Sequence, residues 1–483
     1  MRTLIIVLVI STLSISACTS EGDRAYAEAK KCAALITSGA GCAPQQNQNS
    51  NQAPTAQTGN SNSPPAANGD ATPPAAGARV ETRVYIDASA SMQGFVSAPD
   101  NSFIKVIEAL GYALPGCRLY KYGVSGKQGG GAAAAGATPF AHEIRFSQEL
   151  RQPSFYNLDF NEDDVLINHL AAENAPVLSV ILTDGVYSAR NTELQSEVVK
   201  AIEKWLRKDG FLGILIFNSS FDGKLYSENS RAWTEKVNVS ARPFYAFIFS
   251  PDEKSFRELS GRLGAEVKVS GSLVFPREAI SCAISPEDKN GLEHKIVPPA
   301  QPFFLHMYGE SIFNENNQAE LSYDVRCTPS PDYPVTGFDL EPVLASYSWS
   351  QDTFRKDEKP ARFDYKYAAE GAPGDSPTPS AEASKNGTPT PAPTAPRRQP
   401  NLKLLLNRDN VARYSFYHLT FNLSGKALNP SVRNLSTQDD SLTGEAGKTY
   451  RFYEFISSLT TMHLQHREAI SLPPPVFITV TNK

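Results

Sequence analysis

The side chains best suited to chemistry are Asp87, Ser89 and Ser91, in the stretch Val84-Tyr85-Ile86-Asp87-Ala88-Ser89-Ala90-Ser91-Met92. Asp87-x-Ser89-x-Ser91 puts one carboxylate and two hydroxyls on a turn that leaves an apolar run. These are hard oxygen donors of the kind that Mg²⁺ or Mn²⁺ takes, with waters completing the shell. Ninety-seven residues on (184 − 87), a second apolar run ends in Leu182-Thr183-Asp184-Gly185. Ligands bind at the carboxyl ends of parallel strands in open α/β sheets, so Asp87 and Asp184 are expected to converge. A cation held by hydroxyls and few carboxylates keeps positive charge and an exchangeable water, which an acidic side chain of another protein can replace.

The elements that position these residues are legible as alternating patterns. Val84-Tyr85-Ile86, Val177 to Leu182, Leu212 to Phe217 and Phe244 to Phe249 are nearly continuous apolar runs, as expected of parallel strands buried on both faces. Phe103, Ile107, Leu110 and Leu114, and then Leu194, Val198, Ile202 and Trp205, recur at helical spacing. Ser250-Pro251-Asp252-Glu253 reads as a capping box with Pro at the first position of a helix that stops near Gly264. Strands alternating with helices predict a doubly wound, Rossmann-like α/β domain over residues 80–266. From 267 to 483 the runs 303–308, 319–326, 342–349, 362–367, 402–406, 414–423 and 476–480 read as strands, with helical periodicity scarce outside 450–463. This predicts a mostly antiparallel, sandwich-like β region, as one domain or two.

At Asp87-x-Ser89-x-Ser91 and Asp184 the chain resembles the von Willebrand factor type A family, over about residues 80 to 266. Its metal-ion-dependent adhesion site is written Asp-x-Ser-x-Ser, then a Thr in a second loop, then an Asp after the fourth strand. Asp87, Ser89, Ser91 and Asp184 match, and Met92 and the Thr-Asp-Gly context are common in that family. The family Thr is missing, since no Thr occurs between Thr138 and Thr183; Ser154 or Asn157 is the expected substitute, ahead of a helix at 161–173. The resemblance implies Mg²⁺ or Mn²⁺ as cofactor and metal-bridged recognition of a protein partner, with no bond made or broken. The plainer alternative is that Ser89 and Ser91 cap a turn while Asp87 accepts from backbone amides.

Catalytic readings find less support. There is no Gly-x-Ser-x-Gly elbow for Ser89 or Ser91, and a phosphotransferring Asp87 would need a second Asp where Ser89 stands. Gly126-Lys127 fails the phosphate-loop pattern, and His463-x-x-His466 reads as a surface pair on a helix. Near-balanced charge, 46 Lys+Arg against 51 Asp+Glu, disfavours nucleic acid as a partner.

Met1-Arg2, an apolar run and Ile15-Ser16-Ala17-Cys18 form a signal sequence too short to span a bilayer comfortably. Ile15 to Cys18 resembles the lipobox of bacterial lipoproteins, which implies cleavage after residue 17 and acyl chains on Cys18. Two or more chains anchor a protein to a membrane stably. By resemblance to lipoprotein sorting rules, Thr19 favours the outer membrane of a cell envelope. A lipidated N-terminus with a short helix, 18–42, precedes the segment 43–79, which lacks large apolar residues and reads as a disordered tether lifting the α/β and β-rich regions away from the membrane. The Pro-rich segment 370–400 reads as a disordered insertion, and Gly126 to Thr138 as a mobile loop. An extracytoplasmic site permits disulfides. The expected pairs are Cys32–Cys42 and Cys282–Cys327, leaving Cys117 a buried thiol. The sequence thus supports a lipid-anchored binder of an unknown protein partner; the rivals are an envelope scaffold with a vestigial metal site and, third, a hydrolase.

Overall fold

The computed structural model describes residues 21–37, 42, 80–124, 141–159, 161, 163–173, 177–186, 194–227, 232–286, 303–308, 315–350, 353–357, 363–367, 402–407, 414–440, 443–466, 469–473 and 475–481. Cys18, the segments 43–79 and 370–400 and the loop 126–138 lie outside them. Helix α1 is Glu21–Thr37, and the α/β part runs β1 (Glu81–Asp87), α2 (Gln93–Ser97), α3 (Ser102–Ala113), β2 (Arg118–Tyr122), β3 (Ala141–Ile144), α4 (Asp163–Ala172), β4 (Val177–Thr183), α5 (Leu194–Leu206), β5 (Phe211–Ser227), β6 (Ala232–Ser250), α6 (Glu253–Glu266) and β7 (Gly271–Phe275).

These strands form one mixed sheet in the order β3-β2-β1-β4-β6-β5-β7. β1 lies between β2 and β4 and is parallel to both, which sets Asp87 and Asp184 at the same end of adjacent strands. The runs 212–217 and 244–249, expected to be parallel strands, are instead arms of one long antiparallel ladder, with Phe211 opposite Ser250 and Ser227 opposite Ala232. β6 is antiparallel to β4 as well. A continuous apolar run records burial on both faces but not strand direction, which is why the two cases look alike in sequence. The outer part of this ladder packs on α2. A Cβ on Gly223 would lie 2.7 Å from Gly94 Cα, so glycine at 223 lets the two backbones meet just beyond the Ser89–Ser91 turn. Phe95, Phe103, Phe221 and Phe244 fill the space beneath with edge-on ring contacts, each ring worth about 2 kcal/mol when taken out of water. At α6 the cap is Asp252, whose Oδ1 accepts from Ser255 N at 2.7 Å, so Pro251 stands before the helix, and the helix runs past Gly264 to Glu266.

The C-terminal part holds β8 (Ile280–Pro286), β9 (Phe303–Tyr308), β10 (Gln318–Pro329), β11 (Val335–Ser350), β12 (Thr353–Lys356), β13 (Phe363–Tyr367), β14 (Leu402–Asn407), β15 (Tyr414–Leu428), α7 (Pro430–Asn434), β16 (Ser436–Thr437), β17 (Thr449–Tyr450), α8 (Phe452–Leu464), β18 (Ile470–Ser471) and β19 (Val476–Thr481). Two five-stranded sheets result, β13-β14-β10-β8-β18 and β12-β11-β15-β19-β9. Their pairs are antiparallel except β18 with β8 and β9 with β19. Leu321, Tyr323 and Leu404 of one sheet share a core with Leu344, Leu419 and Ile478 of the other.

The chain beyond residue 266 is tied closely to the α/β sheet. β7 is one of its two edge strands. Helix α8 buries Phe452, Phe455, Ile456 and Leu459 in the same core as Val198 and Ile202 of α5 and Tyr245 and Phe247 of β6. The Tyr245 and Phe452 rings stack at 4.3 Å. His463, expected on a surface, is 3% exposed there, because the face of α8 that carries it closes on Phe275 and Tyr333.

Helix α1 lies against the second five-stranded sheet. Its Ala25, Ala29, Cys32 and Ala33 share a core with Tyr347, Phe354, Tyr414, Phe416 and Phe477. Small residues on the inner face let the helix approach the aromatic surface closely. Cys32 is paired with Cys42, and Cys282 with Cys327, its direct cross-strand neighbour. Cys117 is free but only partly buried, unlike the buried thiol expected; burial still pushes its thiol pKa upward. Among the described residues no helix is long and apolar enough to cross a membrane.

Candidate functional site

Asp87 ends β1 and is fully buried. Its Oδ1 accepts from Ser89 N at 2.8 Å, which folds the turn back on the carboxylate. The Ser89 and Ser91 hydroxyls are 3.0 Å apart. On the neighbouring strand Thr183 Oγ1 donates to Asp87 Oδ2 at 2.9 Å and itself accepts from Gly185 N. Asp184 is equally buried; its carboxylate accepts from Val186 N at 3.1 Å, and the nearby Ser91 side chain lowers its pKa. Gly185 has φ +69°, and a Cβ there would lie 2.8 Å from the Tyr245 ring, so glycine is required to turn the chain out of β4. The four residues read from sequence, Asp87, Ser89, Ser91 and Asp184, are therefore joined in one cluster.

The second loop is brought in by its backbone. Ala90 N donates to Leu158 O and Leu158 N to Ala88 O, at 2.9 and 3.0 Å, so the loop runs beside the motif turn. Ser154 and Asn157 are both exposed, and Asn157 Oδ1 accepts from Lys121 Nζ. The residue from this loop that reaches Asp87 is Asn161, 2% exposed. Its Nδ2 donates to Asp87 Oδ2 (3.4 Å), Asp163 Oδ2 (3.2 Å) and Val186 O (3.1 Å). Asp163, also buried, accepts from Tyr122 Oη at 2.6 Å. The sequence pattern predicts a helix from Asn161; the described helix is Asp163–Ala172, and the Asn-x-Asp that leads into its first turn is the signal that could have marked the site.

Electrostatically the cluster is costly. Burial raises the carboxyl pKa of Asp87, and the charge of Asp184 raises it further. Burial raises that of Asp184 too, opposed by Arg242. Asp163 is held well above the ordinary carboxylate range by burial and by the charge of Asp87. Arg242, from β6, is buried beside Asp184, and its Nη1 donates to Ala446 O and Lys448 O at 2.5 and 3.1 Å. One guanidinium faces three buried carboxylates, so the charges do not balance without protons or a further cation. Two buried acceptors, Asp184 Oδ2 and Asn161 Oδ1, have no hydrogen-bond partner among the described residues. Orphaned buried oxygens beside unbalanced carboxylates are what a hard cation would satisfy. Asp87, Ser89, Ser91 and Asp184 fit such an ion by donor type. Among the described residues no group of three or more His, Cys, Asp and Glu side chains is arranged around one point, so hydroxyl or amide oxygens would have to contribute to its shell.

The C-terminal part closes over this end of the sheet. Thr449 Oγ1 donates to the Asp184 carbonyl at 3.4 Å and accepts from Tyr245 Oη at 3.0 Å. Asp440 Oδ1 accepts from Ser227 Oγ at 2.8 Å. No family model, curated protein or solved structure matches the chain.

Proposed function

We propose that this chain is a lipid-anchored envelope protein that binds a protein partner through a divalent cation, Mg²⁺ or Mn²⁺, held by Asp87, Ser89, Ser91 and Asp184. The observation that carries the reading is the pair of orphaned oxygens, Asp184 Oδ2 and Asn161 Oδ1, amid three buried carboxylates that a single arginine cannot neutralise. A bound cation would supply positive charge and a site for an acidic side chain of the partner. The arrangement of the first strands, β3-β2-β1-β4 with both aspartates at strand ends, supports the type A-like reading of residues 80–266. The antiparallel β6 beside β4 departs from the doubly wound parallel pattern. Anchoring through acylated Cys18, with the outer membrane favoured, rests on the lipobox-like Ile15-Ser16-Ala17-Cys18.

The test is capture of a partner from solubilised envelope by the whole chain, with and without a chelator, and by Asp87→Ala. Capture that is lost in both cases supports the reading; equal capture in all three sinks it. The whole chain is used because residues 80–266 alone would lack β7 and the cover of α8.

The second reading, a scaffold with a vestigial site, is favoured by Arg242. Its buried guanidinium already offsets part of the charge of Asp184 and ties the C-terminal part to the sheet. A scaffold contact survives chelation.

A further inference from the structure

Asn161 has its orientation set by its surroundings. Val186 O, 3.1 Å from one end of its carboxamide, can only accept, so that end, which also faces Asp87 Oδ2 and Asp163 Oδ2, must be the amide nitrogen. The oxygen is thereby the other end, and it is buried with no donor among the described residues. Leaving a buried amide oxygen unpaired is unfavourable. The chain nevertheless holds it in place firmly: Asp163 fixes the nitrogen, Tyr122 Oη fixes Asp163, and the Leu158 bridge fixes the loop against the motif turn. Asp184 Oδ2 is orphaned in the same cluster. Neither of the residues expected from this loop, Ser154 or Asn157, is buried.

We propose that Asn161 is a ligand of the cation, giving through Oδ1 the oxygen that the missing Thr would otherwise supply, with Asp163 and Tyr122 as positioning residues. The proposal rests on the cation reading above. A neutral carbonyl oxygen is an ordinary ligand for hard divalent ions and adds no charge to a site already rich in carboxylates. The sequence hid the role because Asn at a helix start reads as a cap.

The test is a Mn²⁺ titration of the whole chain carrying Cys18→Ser, read from the paramagnetic resonance of free Mn²⁺. Asn161→Ala is expected to weaken Mn²⁺ at least tenfold, within the range seen when supporting groups of metal sites are removed, while Ser154→Ala and Asn157→Ala leave it unchanged. Asn161→Asp, which keeps an oxygen in place, retains Mn²⁺ binding and gains more melting temperature on Mn²⁺ addition than wild type does. A purely structural Asn161 predicts the reverse, since a further carboxylate beside Asp87 and Asp163 only repels. With ¹³C in the asparagine side-chain carbonyl, electron–nuclear double resonance of bound Mn²⁺ should show a coupling that Asn161→Asp removes. Wild-type and Asn161→Ala chains that bind Mn²⁺ equally, with Asp87→Ala not binding, overturn the role of Asn161 alone. A wild-type chain that binds no Mn²⁺ overturns the cation reading and this proposal with it.

Discussion

Thr183 and Asp87 stand on adjacent parallel strands, and the Thr183 hydroxyl donates to Asp87 Oδ2 at 2.9 Å inside a fully buried site. This bond aligns the ends of β1 and β4 and gives the carboxylate one of its few donors. Thr183→Val keeps the shape and removes the donor. It should cost about 1–3 kcal/mol in denaturant unfolding, as expected when a buried acceptor loses its partner. Thr183→Ser should cost less than half as much. Equal losses for the two variants would show that packing, not the hydroxyl, is what matters.

Gly223 meets Gly94 backbone to backbone. Gly223→Ala places its new methyl group 2.7 Å from Gly94 Cα, and neither backbone can turn aside as a side chain would. The expected loss is about 1–3 kcal/mol, the usual cost of overpacking. Because Gly94 follows the Ser89–Ser91 turn, Mn²⁺ affinity should fall with it. Unfolding midpoints and a Mn²⁺ titration on the same variant check both effects.

His463 is buried, with Tyr333 Oη 3.2 Å from its Nδ1. Burial first, and then the nearby His466, push its pKa down to about 4 from 6.5, against a raising contribution from the Pro276 backbone. Arg207, Asp209 and Arg277 line the same cavity of about 380 Å³. As pH falls below about 6.5 the unfolded chain takes up a proton that the folded chain refuses, so stability is lost progressively down to about pH 4. The full effect is about 3 kcal/mol. Denaturant unfolding between pH 7 and 4 should show a shallower decline for His463→Gln than for wild type; parallel curves would remove His463 from the account.

Helix α1 is held by small residues against aromatic ones, with Ala29 fully buried. Ala29→Lys should undock the helix, because an unpaired buried charge costs more than the alanine face returns. Limited proteolysis after residue 42 would then release the Cys32–Cys42 segment from the variant. From wild type the cut segment should stay bound to the C-terminal sheet.

Much of the site was legible because its chemistry is local. Asp87, Ser89 and Ser91 lie on one turn, and the apolar runs before Asp87 and Asp184 carry their own burial signal. Asn161 and Asp163 were hidden because their roles depend on the pairing of Leu158 with Ser89 across a loop, which no periodicity encodes. Arg242 was hidden for a similar reason: its partners are backbone carbonyls about two hundred residues on, at Ala446 and Lys448. The antiparallel turn of β5 into β6 escaped because apolar continuity carries no direction. Strand existence in the C-terminal part was readable from composition, whereas the return of α8 to the α/β sheet required knowing which core its apolar face would meet.

The docking of α1 also decides how the molecule would bear load. Were the chain anchored through Cys18 as proposed, a pull from the membrane would enter at α1 and pass by contact into β15 and β19, then through α8 and β7 to the sheet that carries Asp87. The contact of Ala25, Ala29 and Ala33 with that aromatic surface is therefore the first one such a pull would load.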